Sequence, residues 1–283
     1  MASLVEELVE SGIHFGQRRS NWNPRMRPYI YTVRNGIHII DIKETVKGLL
    51  LAKKFVSKLV SDGKDVLFVG TKRQAQAALE QYAGGAKMPY VTERWLGGTL
   101  TNFRTIRERL KRLEELERIV ESGEIKNYSK KMESQLTREQ KKIFRNLNGI
   151  RTIHRLPGAI VVVDTNREKN ALLEAKNLGI PTICLIDTDG DPELADIPIP
   201  GNDDSMRSID VVVRELCAAV SEGLGHRQTN DAVASKRGDG DEGGSAGDGN
   251  QRRRSSRSRF RADGPGPGAG TGDAGAEVAA GAE

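Results

Sequence analysis

The chain has 283 residues and a formal net charge of +5, with 29% charged and 5% aromatic residues. It contains no run of about 18 apolar residues, and its first residues lack the basic and apolar regions of a secretory signal. We therefore expect neither a membrane-spanning helix nor a leader. The two cysteines, Cys184 and Cys217, lie in apolar patterns, which favours buried, reduced thiols in a cytoplasmic protein.

The charge is distributed unevenly along the chain. Residues 1–99 carry +6 and residues 100–155 carry +7, whereas residues 156–225 carry −8 and residues 226–283 are neutral overall. This asymmetry predicts a cationic surface that lies against a polyanion and an acidic surface that faces away from it. The alternative for the basic half is a solvated helical pair with ordinary mixed charges.

A hairpin turn and a capped helix are the clearest local signals near the N-terminus. Asn35-Gly36 separates two apolar runs, and both residues of this dipeptide tolerate a positive φ. Asp41 precedes an amphipathic pattern and can cap its first turn. The periodic segments of residues 1–99 predict helices over residues 4–11, 41–61 and 71–82 and strands over residues 29–32, 37–40, 66–70 and 89–91.

Residues 17–28 contain two prolines and no period, so we interpret them as a loop. Four arginines surround Trp22 in this segment. A guanidinium group donates two hydrogen bonds to a phosphate, and an indole ring stacks on a base. The alternative is that Trp22 anchors the core and the arginines only aid solubility. The residues of this loop that we predict to contact RNA are Arg18, Arg19, Asn21, Trp22, Asn23, Arg25 and Arg27.

The strand predicted over residues 66–70 is a continuous apolar run, which is typical of a strand buried on both faces. Basic residues follow at the start of the next helix, and this arrangement resembles a phosphate site, although the Walker pattern is absent. We therefore consider Lys72 and Arg73 as RNA-phosphate ligands, with ordinary helix-start residues as the alternative. A glycine-hinged loop further on allows a close backbone approach. Its predicted RNA contacts are Arg94, Thr99 and Asn102.

Residues 100–155 predict two charged amphipathic helices. Apolar residues recur at steps of three and four, first through Leu110 and Leu116 and, after a polar break, through Leu136 and Leu147. Two such stripes joined by a short polar turn predict an antiparallel coiled-coil hairpin inserted into the chain. The cations of this insertion that we predict to contact RNA are Arg104, Arg107, Lys111, Lys141, Lys142 and Arg145.

Residues 156–225 add two apolar strands, over residues 159–164 and 181–187, on either side of a helix over residues 168–177. A strand, a helix and a strand within about 30 residues predict a parallel sheet with helices on both faces. The fold class is therefore α/β, formed by residues 1–99 and 156–225. Residues 198–202 are interpreted as a turn, and residues 206–223 as a last helix.

The final 58 residues, 226–283, are rich in Gly, Ala, Asp, Ser and Arg, which predicts disorder. A basic island over residues 252–261 either touches RNA without sequence preference or is a dispensable extension.

Signatures of catalysis are weak. The pattern G-x-G-x-x-G over residues 238–243 lies inside the predicted tail and has no preceding strand. Two alternatives stay open: a nucleotide-binding enzyme that uses residues 70–73 or 164–167, and a coiled-coil dimerisation module. A solvated acidic loop is the favoured interpretation of the carboxylates, so we predict no cofactor. The residues that can nevertheless hold a divalent cation are His14, Asp187, Asp203 and Asp204.

Several blocks of the sequence resemble, in order, one known family. These blocks are Ser11–Gly16, Trp22–Pro24, Tyr29–Tyr31, Phe68–Lys72, Arg94–Asn102, Pro157–Asp164 and Asp203-Asp204. Together they are similar to the family of bacterial small-subunit ribosomal protein S-two over about residues 3–225.

The resemblance implies a Rossmann-like or flavodoxin-like domain with a protruding coiled-coil hairpin. It also implies binding to small-subunit ribosomal RNA where head meets body, no catalysis, and a docking platform for ribosomal protein S-one. We accordingly expect a ribosomal protein with neighbouring small-subunit proteins as partners, away from membranes and not a homo-oligomer.

Overall fold

The computed structural model describes residues 4–238 of the chain. Its helices are α1 (Leu4–Glu10), α2 (Ile42–Ser61), α3 (Arg73–Gly85), α4 (Phe103–Glu121), α5 (Lys130–Leu147), α6 (Lys169–Asn177) and α7 (Met206–Gly238). Its strands are β1 (Phe15–Arg18), β2 (Ile30–Arg34), β3 (Ile37–Ile40), β4 (Val66–Val69), β5 (Tyr90–Val91), β6 (Ala159–Val163), β7 (Thr182–Ile186) and β8 (Ile197–Pro200).

A five-stranded parallel sheet forms the centre, with the strand order β5-β4-β6-β7-β8. Numbered along the chain, this order is 2-1-3-4-5, the flavodoxin-like form of the doubly wound sheet. Every residue of β4, β6 and β7 is buried, as expected for strands covered on both faces. The predicted α/β class with a parallel sheet is confirmed.

Alternate residues of the central strands enter two separate hydrophobic clusters. Phe68 and Val161 face a cluster that includes buried residues of α1, α2, α3 and α7. Leu67 and Val162 face a second cluster that includes α6 and the bases of α4 and α5. The period of two along each strand therefore places helices on both faces of the sheet, and it ties the insertion to one of them.

A second, three-stranded antiparallel sheet has the order β1-β3-β2. Asn35 (φ 54°) and Gly36 (φ 75°) form the predicted turn between β2 and β3. The interpretation of residues 17–28 as a loop is wrong in part, because β1 extends to Arg18 and a 3-10 turn covers Pro24–Tyr29. A four-residue strand whose register shifts along its length is too short to show a period.

The prediction of a turn over residues 198–202 is also wrong. Residues Ile197–Pro200 form β8, which pairs in parallel with β7. Its two prolines are tolerated because β8 is an edge strand with a single neighbour.

Helix α7 runs past the predicted end at residue 223 and reaches Gly238, so the predicted disorder of residues 226–238 is wrong. Gly223 does not end the helix because it packs against α2: a Cβ there would lie 2.6 Å from the carbonyl oxygen of Ser57. The rest of the predicted tail, residues 239–283 with the basic island 252–261, lies outside the described residues.

Both predicted helices of the insertion are confirmed as α4 and α5, which a short 3-10 turn connects. Ile106, Leu110 and Leu147 enter the core beside the sheet. Farther from the sheet, Leu113 stays fully buried, whereas Met132 near the connecting turn is 44% exposed. The apolar stripe therefore anchors the insertion at its base and becomes more exposed toward its end.

Candidate functional site

Charged side chains meet at the carboxyl edge of the parallel sheet. Lys72 follows β4, Asp164 follows β6, Asp187 follows β7, and Asp203 and Asp204 follow β8. Parallel strands bring these positions to one edge, and the strand order reverses between β4 and β6. Open α/β sheets bind their ligands at such a switch point, so this edge is the first place to look for a site.

Lys72 is the centre of this cluster. Its Nζ lies 2.7 Å from Asp203 Oδ1, 2.6 Å from Asp204 Oδ1 and 3.5 Å from Asp164 Oδ2. The side chain of Gln17, in β1, donates hydrogen bonds to Asp204 and to Asp187, the carboxylate that Lys72 does not reach. Side chains of the protein itself therefore pair with or donate to the carboxylates of this edge.

The cluster holds one ammonium group among four carboxylates, and burial, followed by this excess of negative charge, shifts the pKa values of Asp187 and Asp203. Burial, followed by the charge of Asp164, raises the pKa of Asp203 to about 8. Burial raises the pKa of Asp187 to about 6. Burial alone would lower the pKa of Lys72, but its hydrogen bond to Asp203 and the nearby carboxylates raise it above its ordinary value. The lysine therefore stays charged while part of the cluster holds protons near neutral pH.

Three of the four candidate metal ligands come together. Asp187, Asp203 and Asp204 each offer a carboxylate oxygen, and these oxygens lie within 4.8 Å of one another. The ammonium group of Lys72 already supplies the cation that Asp203 and Asp204 need. The ring of His14 packs at a tilt against Phe15 with ring centroids 4.2 Å apart, and its buried Nδ1 has no hydrogen-bond partner among the described residues. The prediction that no cofactor is required stays a prediction.

Two predicted RNA contacts are not accessible to RNA, and we do not retain them. Lys72 is 12% exposed and already paired with carboxylates. Thr99 is buried, and its hydroxyl group donates to the carbonyl oxygen of Leu96. The glycine before α3 is explained by packing rather than by a phosphate site, since a Cβ on Gly70 would lie 2.7 Å from Leu79 Cδ1.

Glu174 of α6 organises the loop that leads into the insertion. Its Oε1 accepts from Trp95 Nε1 at 3.0 Å and from the amide of Gly98 at 2.8 Å. Its Oε2 accepts from the amides of Leu100 and Thr101 at 3.0 and 3.2 Å. Burial alone would raise the pKa of Glu174, but these hydrogen bonds lower it. No sequence pattern signals this role, because nothing marks one glutamate of an amphipathic helix as a loop anchor.

Several cations of the insertion are exposed and lack a carboxylate partner in the part of the chain that the structure describes. Among the predicted contacts these are Lys111, Lys141 and Lys142. Further cations of the same kind were not predicted from sequence; they are Arg109, Arg118, Lys130, Lys131 and Arg138. The insertion therefore presents more uncompensated positive charge than we predicted.

Other predicted contacts of the insertion are partly engaged within the protein. Arg104 pairs with Glu108 at 3.4 Å, and Arg145 pairs with Glu93 at 2.8 Å. Arg107 donates to the carbonyl oxygen of Ile153 at 2.8 Å. Such exposed pairs are weak, so Arg104 and Arg145 can exchange their partner for a phosphate at small cost.

The N-terminal segment also divides into free and engaged groups. Arg25 pairs with Asp191 at 2.7 Å, and Asn23 caps the 3-10 turn by accepting from the Arg25 amide. Trp22 is 36% exposed and lies 5.2 Å from the buried ring of His38, so it is both an anchor and a partly open surface. The remaining predicted contacts outside the insertion are exposed; they are Arg18, Arg19, Asn21, Arg27, Arg73, Arg94 and Asn102.

The comparisons with known proteins agree on one family. Residues 8–223 match the family model described as Ribosomal protein S2. The chain is 56% identical over 229 residues to the small ribosomal subunit protein uS2 of Rhodopirellula baltica, covering 81% of this chain and 88% of that protein. It is 48% identical over 231 residues to uS2c of Guillardia theta, covering 81% of this chain and 98% of that protein. Within residues 4–238, no helix is both long and apolar enough to span a membrane.

Proposed function

The chain belongs to the ribosomal protein S2 family, and on that basis we propose that it is a structural constituent of the small ribosomal subunit. In this proposal it binds small-subunit ribosomal RNA between head and body, with the insertion acting as a stiff coiled-coil arm between RNA helices. It acts without catalysis, as a single copy in the cytoplasmic ribosome.

The observation that carries this proposal is the contrast between paired and unpaired charge. Lys111, Lys141 and Lys142 point to solvent without carboxylate partners in the described residues, and the exposed arginines of the N-terminal segment add to them. Cations of this kind displace counterions from phosphates, which makes binding tighter and salt-dependent.

Docking of ribosomal protein S-one is the second part of the proposal. The three-stranded sheet exposes a group of apolar side chains: Phe15 (47%), Tyr31 (77%), Val33 (43%) and Ile37 (37%). Exposed aromatic groups beside polar edges suit protein partners. Gln17 of the same sheet contacts Asp204 of the acidic edge, so this apolar surface adjoins a region that repels RNA.

The alternative functions receive less support. A nucleotide site near Gly70 or Asp164 competes with groups already in use, because Lys72 pairs with Asp164 and Gly70 packs against α3. A dimerisation module would need a continuous apolar surface, whereas Leu113 and Leu116 are already buried within one chain.

Gradient sedimentation of the tagged full-length chain in a bacterial lysate tests the proposal. We expect the chain to travel with small ribosomal subunits at low salt and to be released progressively as the salt concentration rises. A chain that stays at the top of the gradient at every salt concentration would contradict the proposal.

A further inference from the structure

A second cationic surface lies at the opposite, amino edge of the parallel sheet. A groove of about 660 Å³ runs past the starts of β4, β6 and β7. Lys58 near the end of α2, Lys64 before β4 and Arg155 before β6 line this groove. Among the described residues, Asp62 is the only acidic one that lines it. We call these three cations with their groove the amino-edge groove. None of them belongs to the surfaces discussed so far.

The cations of the amino-edge groove are not neutralised within the described chain. Lys58 and Lys64 are exposed and form no ion pair with any described residue. Arg155 donates a hydrogen bond to the backbone carbonyl oxygen of Gly63, which supplies no opposite charge. Lys54, one turn before Lys58 on α2, is also exposed and unpaired in the described part, and it lines the adjoining groove. Positive charge is therefore concentrated at a place where it contributes little to the stability of the fold.

The backbone around the amino-edge groove is built for close approach. A Cβ on Gly158 would lie 2.7 Å from Lys64 Cβ, so the glycine lets the lysine stem lie against the start of β6. Gly179 has a φ of +64° and no atom within 4 Å of a Cβ position, which leaves that wall of the groove low and open. Leu156, which also lines it, is 43% exposed.

We propose that the amino-edge groove binds the phosphate backbone of RNA, as a contact separate from the insertion and the N-terminal segment. The inference rests on the proposed function, which supplies the RNA. Three cations around an open groove with one carboxylate suit a polyanion, and each neutralised phosphate releases counterions. An acidic protein fits less well, because lysine is depleted in the cores of protein interfaces. The glycine and proline lining offers few groups to read base edges, so the contact is to backbone rather than to sequence.

The test compares two double variants of the full-length chain with the wild type. K58Q/K64Q removes two positive charges from the amino-edge groove. K169Q/R207Q removes two exposed charges that have no carboxylate partner among the described residues and that lie near the carboxyl edge, at the starts of α6 and α7. Affinity for transcribed small-subunit ribosomal RNA is measured by filter binding at several KCl concentrations.

We expect K58Q/K64Q to bind more weakly and to lower the slope of log affinity against log salt by about 1.4–1.8, at about 0.7–0.9 per lost phosphate contact. K169Q/R207Q should keep the wild-type slope. In the wild-type chain, bound RNA should also protect Lys58 and Lys64 from acetylation, as measured by mass spectrometry.

An unchanged slope in K58Q/K64Q would overturn the inference that the amino-edge groove binds RNA, and it would leave the proposed function standing. An equal loss of slope in K169Q/R207Q would overturn it too, because net charge alone would then explain the effect. Normal RNA affinity combined with poor incorporation into subunits would assign the groove to a protein and likewise overturn the inference. A wild-type chain that does not bind the RNA would overturn the proposed function itself.

Discussion

Lys72 at the carboxyl edge of the sheet touches three carboxylates, whereas Lys58 and Lys64 at the amino edge touch none among the described residues. The two edges belong to one sheet, and β4 alone is preceded by Lys64 and followed by Lys72. Their difference lies in burial: Lys72 is 12% exposed, and the other two side chains reach solvent. A buried charge needs a partner within the fold, while an exposed one is available to a partner outside it.

Breaking the buried network is expected to have the largest effect. K72M keeps the apolar stem but leaves Asp203 and its neighbours without a cation, which should cost about 3–5 kcal/mol of unfolding free energy. Urea unfolding followed by circular dichroism measures this. The matched control is K111M on the insertion, which should change stability by less than about 0.5 kcal/mol. Equal stabilities of the two variants would show that burial does not separate the two kinds of lysine.

Removing the loop anchor should have the next largest effect. E174A leaves several partly buried donors unsatisfied, among them the amide of Gly98 and the indole of Trp95, and should cost about 2–3 kcal/mol. Hydrogen exchange at the amides of Gly98 and Leu100 should accelerate. E108A removes an exposed carboxylate whose one ion-pair partner among residues 4–238 is Arg104, and it serves as the control. Unchanged exchange in E174A would mean that the loop is held by other contacts.

The acidic edge also predicts a dependence of stability on pH. Burial raises the pKa of Asp187 to about 6 and of Asp203 to about 8, above their ordinary value of 3.8. Folding therefore favours the protonated forms, and this stabilisation is complete below about pH 4 and is lost as pH rises through 6 and 8. The unfolding free energy should fall by more than about 1 kcal/mol between pH 6 and 9.

D203N, whose amide stays neutral at every pH, should flatten that fall, whereas D62N, which removes an exposed carboxylate, should not. Thermal unfolding of both variants across this pH range is the measurement. A wild-type chain that becomes more stable from pH 6 to 9 would show that the Lys72 ammonium outweighs the burial of its partners.

Neutralising exposed cations should have the smallest effect on stability. The variant K111Q/K141Q/K142Q removes three charges with no ion pair in the described part of the chain, and its unfolding free energy should stay within about 0.5 kcal/mol of wild type. Its effect should appear in RNA binding instead, which sharpens the contrast with Lys72.

The elements that sequence patterns predicted are those whose signal is local. Strands β4, β6 and β7 are uninterrupted apolar runs, and the cap of α2 at Asp41 follows from neighbouring residues, with the Asp41 side chain accepting from the Lys43 amide. Strand β8 was missed because its prolines mark a turn unless the strand is known to lie at an edge. The end of α7 was predicted too early, at Gly223. This glycine lies inside the helix and packs against α2, a contact that no local pattern reveals.

The site was predicted less well than the fold for the same reason. Lys72 was predicted to contact RNA, whereas the structure buries it beside Asp203, a partner that lies 131 positions away in the chain. Glu174 and the amide of Gly98 are 76 positions apart. Charge type and spacing along the sequence cannot decide whether a cation is buried beside carboxylates or left facing solvent, because that depends on which strands become neighbours.

The salt dependence of RNA binding tests the division of charges most directly. For K111Q/K141Q/K142Q and small-subunit ribosomal RNA, the slope of log affinity against log salt should fall by about 2–3 relative to wild type while the chain keeps its stability. A slope equal to that of wild type would contradict the account, because the exposed cations of the insertion would then contribute nothing to binding RNA.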